Sequence, residues 1–381
     1  MAASRIGSIK TYFRKVLDPR VRGRSRHLLV DILVIAICGV VADCDSWQEI
    51  VLFGQKRKSW FKRFLKLPHG IPSHDTFERV FDRIDPAAFQ KCFRNWIRAV
   101  GRALDLSHIA IDGKTLRRSG RRGATLGPLH LVSAWATQAH LSLGQIAVDQ
   151  KSNEITAIPK LLTLLDLKGA LVTIDAMGCQ TEIAQTIVAA GGDYLLTVKD
   201  NQPTLLAGIQ DAIAAALDET EPSVRCATHE RTESGHGRQE TRRCTVVHLP
   251  DGLPGHAAWP KLCAIGMCVS ERTVGDKLSS ETRYLICTRP LSAREFAAAT
   301  RRHWSIENQL HWSLDVTFRE DDNRVCTRHG AENLALLRRL ALSLLKREPS
   351  KMSLACKRLR AALSTPFLEN LLRSADKLTK I

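Results

Sequence analysis

The sequence predicts an α/β protein: a mixed sheet flanked by helices, with a helical basic N-terminal segment and a β-rich insertion. Three observations predict it. From about residue 105 the apolar pattern gives three short strands, then helix, strand, helix, strand, an order that suits a mixed sheet with helical cover. The residues before 105 show only helical spacing and caps. Between about 219 and 290 that spacing gives way to short polar, alternating strings such as Arg242–His248 and Arg283–Thr288.

Asp18-Pro19 starts a turn, and Leu28 to Val41 reads as a buried helix. Ser46-Trp47-Gln48-Glu49 fits a capping box that opens the next helix. Ser73 is a cap for a helix through Phe77, Val80, Phe81 and Ile84, and a further helix runs from Pro86 to Leu104. This segment holds two basic clusters. One is Arg14, Lys15, Arg20, Arg22, Arg24 and Arg26; the other surrounds Trp60, Phe61 and Phe64 with Lys56, Arg57, Lys58, Lys62, Arg63 and Lys66. With few acids nearby, they favour phosphate binding over a merely solvated face.

His108 to Asp112 is a short apolar strand ending in an acid, followed by strands at Leu129–Thr137 and Leu143–Val148. Glu154 to Leu165 is an amphipathic helix with Ile155, Ile158, Leu161, Leu162 and Leu165 on one face. Ala170 to Ile174 is a strand, again ending in an acid, Asp175. A helix from Gln180 to Ala190 is stopped by Gly191-Gly192, and Asp193 to Val198 is a fifth strand. After the insertion, Ser292-Ala-Arg-Glu295 caps a helix from Ala293 to about Leu314, and the remainder is basic and helical. The chain therefore divides into 1–104, 105–218, 219–290 and 291–381.

The 56 Lys+Arg and 39 Asp+Glu leave a net charge of +17, which fits a nucleic-acid partner better than an anionic membrane. The most apolar stretch, Leu28 to Ala42, is interrupted by Asp31 and Gly39 and is shorter than the ~20 residues that span a bilayer. The first residues show no signal-peptide pattern, so a cytoplasmic, soluble protein is expected. The 11 cysteines are scattered, without a Cys-x-x-Cys pair, and read as buried reduced thiols rather than disulfides or zinc ligands.

Three acids stand out by placement: Asp112 and Asp175 after apolar strands, and Glu307 inside the capped helix. A carboxylate at the end of a buried strand must be paired, hydrogen-bonded or bound to a cation. Taken alone, each also fits a surface or capping role. His303, Glu307, His311 and Asp315 recur every four residues, one stripe of an α-helix. Zinc is discounted, because His303 and His311 would stand roughly 12 Å apart along the axis. Trp304 and Trp312 flank the stripe, as core residues or as platforms for an unpaired base.

Several strings together carry a family resemblance: Ile111-Asp112-Gly-Lys, Lys151-Ser-Asn-Glu-Ile, Val172-Thr-Ile-Asp175-Ala-Met-Gly-Cys, Asp193 to Pro203, and His303-Trp-Ser-Ile-Glu307-Asn-Gln-Leu-His-Trp312. The chain resembles bacterial insertion-sequence transposases of the DDE type, in the H-repeat-associated group, and Asp18-Pro-Arg with the basic helix after it resembles that group's N-terminal region. The resemblance runs over nearly the whole chain. It implies a ribonuclease-H-like core with Asp112, Asp175 and Glu307 as the metal-binding triad for two Mg²⁺ (or Mn²⁺) ions. It implies cleavage of double-stranded DNA at terminal inverted repeats and joining of the freed 3′-hydroxyl to target DNA. A homodimer on DNA is expected, because two ends must be brought together.

One signature departs. Relatives carry Tyr, Arg and Lys around the last acid where this chain has Thr300, His303 and Leu314. Arg301 and Arg302 are the neighbours that stand in as a phosphate clamp, with His303 beside them. Lys114, Arg117, Arg118, Arg121 and Arg122 after the first acid, and Lys199 and Asn201 after the fifth strand, are the other candidates to hold the DNA backbone. His236 and Arg238 fit either a DNA contact or a plain hairpin turn. Two other functions use the same features: a catalytically silent transposase-derived DNA-binding protein, and a structure-selective nuclease that cuts without joining.

Overall fold

A computed structural model describes residues 7–21, 23–101, 105–120, 127–148, 152–218, 226–235, 237–248 and 252–374. Helices α1 (Gly7–Phe13), α2 (Leu29–Val41), α3 (Trp47–Lys56), α4 (Lys58–Phe61), α5 (His74–Arg83) and α6 (Pro86–Gly101) come first. Strands β1 (His108–Leu116), β2 (Leu129–Ala136) and β3 (Leu141–Ala147) follow. Then α7 (Glu154–Leu162), β4 (Leu171–Ile174), α8 (Thr181–Ala189), β5 (Asp193–Val198) and α9 (Pro203–Leu217) alternate. Strands β6 (Cys226–Gly235), β7 (Arg238–His248), β8 (Ala264–Val274) and β9 (Lys277–Cys287) precede α10 (Ala293–His303). The chain closes with α11 (Trp312–Val316), α12 (Arg328–Arg347), α13 (Leu354–Leu363) and α14 (Thr365–Ser374).

Two compact units result: Met1–Leu106, Gly113–Lys151 and Glu307–Ile381 form the first, Ser107–Asp112 and Ser152–Ile306 the second. The first unit is built around α12, which packs on α2, α5, α6 and the β2–β3 hairpin. Helix α2 is buried along nearly its whole length, as its unbroken apolar run requires. Its one acid, Asp31, accepts a hydrogen bond from the Leu67 amide at 2.9 Å. The capping box predicted at Ser46 is formed with Glu49, and Ser73 caps α5.

The first unit also buries an ion network. Arg339 and Glu320 are inaccessible and meet at 3.0 Å. The Lys114 ammonium lies 2.7 Å from Asp315, 2.8 Å from Asp321 and 3.8 Å from Glu320. His311 is buried there too; burial first, then the charges of Arg339 and Lys114, push its pKa down to about 3. Buried charges survive only when paired in this way.

In the second unit the strand order is β1-β4-β5-β9-β8-β7-β6. Strands β1, β4 and β5 are parallel, and β9 joins β5 antiparallel to begin a meander. The insertion thus extends the core sheet. In the first unit the order is β3-β2-β1, since β1 lends its second half there. The mixed sheet with helical cover that the sequence predicts is thus present. Helix α10 packs on β4, β6 and β7. The Phe296 ring fits because residue 266 is glycine; a Cβ there would stand 2.5 Å from it.

Four readings need correction. Strand β1 does not stop at Asp112 but continues to Leu116, because only its parallel pairing with β4 ends near the acid. Helix α9 was not foreseen: its Ala-rich sequence lacks a sharp apolar stripe, although Pro203 opens it in the favoured first-turn position. The long helix from Ala293 is broken: α10 ends at His303, a π-helical turn spans Ile306–His311, and α11 follows. Finally, Cys244 and Cys268 form a disulfide rather than staying reduced. The β7–β8 register sets them directly opposite each other, a neighbourhood their 24-residue separation conceals.

Candidate active site

The register of the parallel pair β1–β4 aligns Ile111 with Ile174. The next residue on each is an acid, so Asp112, inside β1 where its pairing with β4 ends, and Asp175, just past β4, stand on adjacent strands, ~4.8 Å apart, at the same level. Ligand chemistry in parallel sheets concentrates at these carboxyl ends. Asp175 caps a 3₁₀ turn, Ala176–Gly178, and its Oδ1 accepts from the Gly178 amide at 3.4 Å. Only glycine fits at 178, where a Cβ would come within 2.3 Å of Ile174. Burial, and next the charge of Glu154 at the start of α7, hold the Asp175 carboxyl above its usual pKa; Lys199 pulls the other way.

The segment after β5 holds this turn in place. Asn201 donates to the Ala176 carbonyl at 2.9 Å, and Gln202 donates to the Cys179 carbonyl at 3.0 Å. The sequence singled out Asn201 but not Gln202 or Glu154. Their signal lay in the Lys-Asp-Asn-Gln-Pro and Lys-Ser-Asn-Glu strings, whose spatial meaning needs the β4–β5 pairing and the packing of α7 on the turn. Lys199 is exposed at the end of β5.

Glu307 lies on the π-helical turn and is exposed. A π turn bonds i to i+5, so the four-residue stripe read from the sequence does not exist as one face. His303 points its Nδ1 at the Thr173 hydroxyl of β4, 3.1 Å away, while His311 and Asp315 join the ion network of the first unit. Trp304 lies under the Arg283 guanidinium at 4.4 Å, and Trp312 is 58% exposed.

The cationic candidates separate. Lys114 is buried with its charge already neutralised by three carboxylates, so it acts inside the first unit and does not present itself to a phosphate. Arg117 and Arg118 are exposed and pair with Asp321 and Asp322 at 3.2 and 3.3 Å. Arg301 and Arg302 line a cleft of the second unit beside Ser107, His108 and Leu171, at the far ends of β1 and β4 from the two aspartates. Arg121, Arg122 and His236 lie outside the described residues.

Burial, and next the Arg283 charge, push the His303 pKa from 6.5 down to about 4. The unfolded chain therefore binds the extra proton first as pH falls. Stability linked to His303 is intact above pH 6.5 and is lost as the pH drops from 6.5 towards 4, by no more than roughly 3 kcal/mol. Denaturant titrations at stepped pH check this: His303→Gln should flatten that part of the profile.

Among the described residues no group of three or more His, Cys, Asp or Glu side chains is placed to hold a metal ion. The donor chemistry nonetheless suits a hard divalent cation at the strand ends. Two carboxylates leave neighbouring strands, and one of them, Asp175, is held where burial and a second acid disfavour its charge. Asp112 and Asp175 belong to the second unit, and Glu307 begins the last segment of the first.

Residues 10–97 match the family described as DDE_Tnp_1-associated, and residues 103–344 match the Transposase DDE domain. The chain is 39% identical to "Putative transposase YncI" of Escherichia coli O157:H7, over 98% of this chain and 96% of that protein. It is 38% identical to "H repeat-associated putative transposase YhhI" of Escherichia coli strain K12, over 93% and 95% respectively. A solved piggyBac transposase synaptic complex with hairpin DNA aligns with 97% of this chain and 79% of its own at 10% identity, with a TM-score of 0.43. The family match spans well over half of the chain, both strand-end aspartates and Glu307, and the chain therefore belongs to the DDE transposase family.

Proposed function

We propose that this protein is a DNA transposase that cleaves strands at the ends of an insertion sequence and joins the freed 3′-hydroxyls to target DNA. The observation that carries the reading is the level placement of Asp112 and Asp175 on adjacent parallel strands, within a chain of the DDE transposase family. Asp112, Asp175 and Glu307 are the residues that would hold two Mg²⁺ or Mn²⁺ ions. Such ions, when bound, activate the attacking water or hydroxyl and stabilise the leaving oxygen of a phosphodiester.

The chain's own residues orient this chemistry. Asn201 and Gln202 pin the turn that carries Asp175, so the carboxylate keeps its direction when a phosphate arrives. Lys199 supplies positive charge beside it. Segment 1–104, with its two basic clusters, is the DNA-binding domain in this reading, and two copies act on a pair of ends. Among the described residues no helix is long and apolar enough to cross a membrane.

The test uses the full chain and duplexes carrying the DNA that flanks its coding region. Nicks at the repeat ends and joined products are expected with Mg²⁺ or Mn²⁺ and not with a chelator. Cutting of branched DNA without joining would identify a nuclease instead. Specific binding with no metal-dependent cleavage would identify a silent DNA-binding protein.

A further inference from the structure

The second unit contains an open cleft of about 640 Å³ that the catalytic reading does not use. Its walls are α10, the β6–β7 hairpin and the starts of β1 and β4. Six arginines line it, Arg231, Arg242, Arg289, Arg294, Arg301 and Arg302, against two glutamates, Glu233 and Glu295. Carboxylates offset only part of that charge. Glu295 is committed to its own helix cap, where it accepts from the Ser292 amide at 3.0 Å and the Ser292 hydroxyl at 2.7 Å. Glu233 is shared among Arg242 at 2.8 Å, Arg231 at 2.9 Å and Arg301 at 3.8 Å, and Arg242 is held a second time by Glu240 at 2.5 Å.

Arg289 is tied to Asp193 at 2.6 Å and to the Gly169 carbonyl at 2.7 Å, which makes it a structural wall. Arg294 and Arg302 are exposed and have no carboxylate partner among the described residues. Between them on α10, Ala297, Ala298 and Ala299 keep the floor low, so a sugar–phosphate chain can approach the helix closely. Several exposed guanidinium groups along one open cleft suit the successive phosphates of a nucleic-acid backbone better than a single small anion.

We propose that this cleft is a second DNA-backbone site, separate from the carboxylates and occupied by duplex several base pairs from the scissile phosphate. Its spacing is set by the strands: His108 lines the cleft and Asp112 lies four residues on, roughly 13 Å at ~3.3 Å per residue. That is the length of about four base pairs of duplex. The inference rests on the reading that this protein handles DNA, and it assigns Arg294 and the insertion's Arg231 to that task alongside Arg301 and Arg302, while Arg242, held by Glu233 and Glu240, is a wall like Arg289.

The experiment is equilibrium binding of the full-length protein to a short duplex of arbitrary sequence, without divalent metal, across a range of salt. The double variant Arg294→Ser/Arg302→Ser should bind about tenfold more weakly at moderate salt. The slope of log affinity against log salt should shrink by roughly 1.8, two phosphate contacts' worth. The pair Arg294→Lys/Arg302→Lys should restore most of the slope, which separates lost charge from lost fold. Wild-type slope and affinity in the serine variant, with its circular dichroism unchanged, would overturn the cleft and leave the transposase reading standing. Absence of DNA binding by the wild-type protein would overturn both.

Discussion

Asp175→Asn should lose metal-dependent strand cleavage by on the order of 10³-fold or more, with the fold and DNA binding retained. Asparagine has the shape of aspartate, and its amide oxygen can still accept the hydrogen bond from the Gly178 amide that shapes the turn. The change removes the charge that a divalent cation requires and little else. Burial and Glu154 already disfavour that charge, so its removal relieves a local penalty. Thermal stability should therefore be equal to or above that of the wild type. Affinity for duplex in the absence of metal should hold or rise, because one repulsion of phosphate is gone. The decisive comparison is nicking of end-containing duplex with Mg²⁺ and with Mn²⁺, beside binding measured in chelator. Wild-type nicking by the variant would remove Asp175 from the reaction. Equal loss in Asp112→Asn and Glu307→Gln would mark the three as one functional group.

Arg339→Leu should destabilise the first unit by about 3–5 kcal/mol, the largest stability effect expected in the molecule. Arg339 is inaccessible, and its loss leaves Glu320, equally inaccessible, with the longer 3.8 Å contact to Lys114 and the nearby charge of Arg338. Leucine fills part of the volume but satisfies no charge. The double variant Arg339→Leu/Glu320→Leu should recover a good part of that loss, since no stranded carboxylate remains. Denaturant unfolding of the four proteins in the cycle measures it. Losses that simply add would show that the pair does not interact as its 3.0 Å separation implies.

Much of this protein was readable without coordinates because the signals were local. The strands before Asp112 and Asp175 were legible as apolar runs, the caps at Ser46, Ser73 and Ser292 as spaced polar pairs, and the two aspartates by their position after strands. The sequence by itself therefore determined the kinds of element, the family and the acids worth testing. What only the tertiary structure decided is which distant residues share a neighbourhood. Lys114 read as a DNA contact because it follows an acid in a basic stretch, yet Asp315, Glu320 and Asp321 meet it about two hundred residues later. Cys244 and Cys268 became a pair only through strand register. The even stripe from His303 to Asp315 dissolved because one π-helical turn changes the angle per residue, a change that packing selects and that no residue pattern announces. Hydrophobic period and capping act within a few residues, whereas register, burial and charge pairing are settled by long-range closure of the chain.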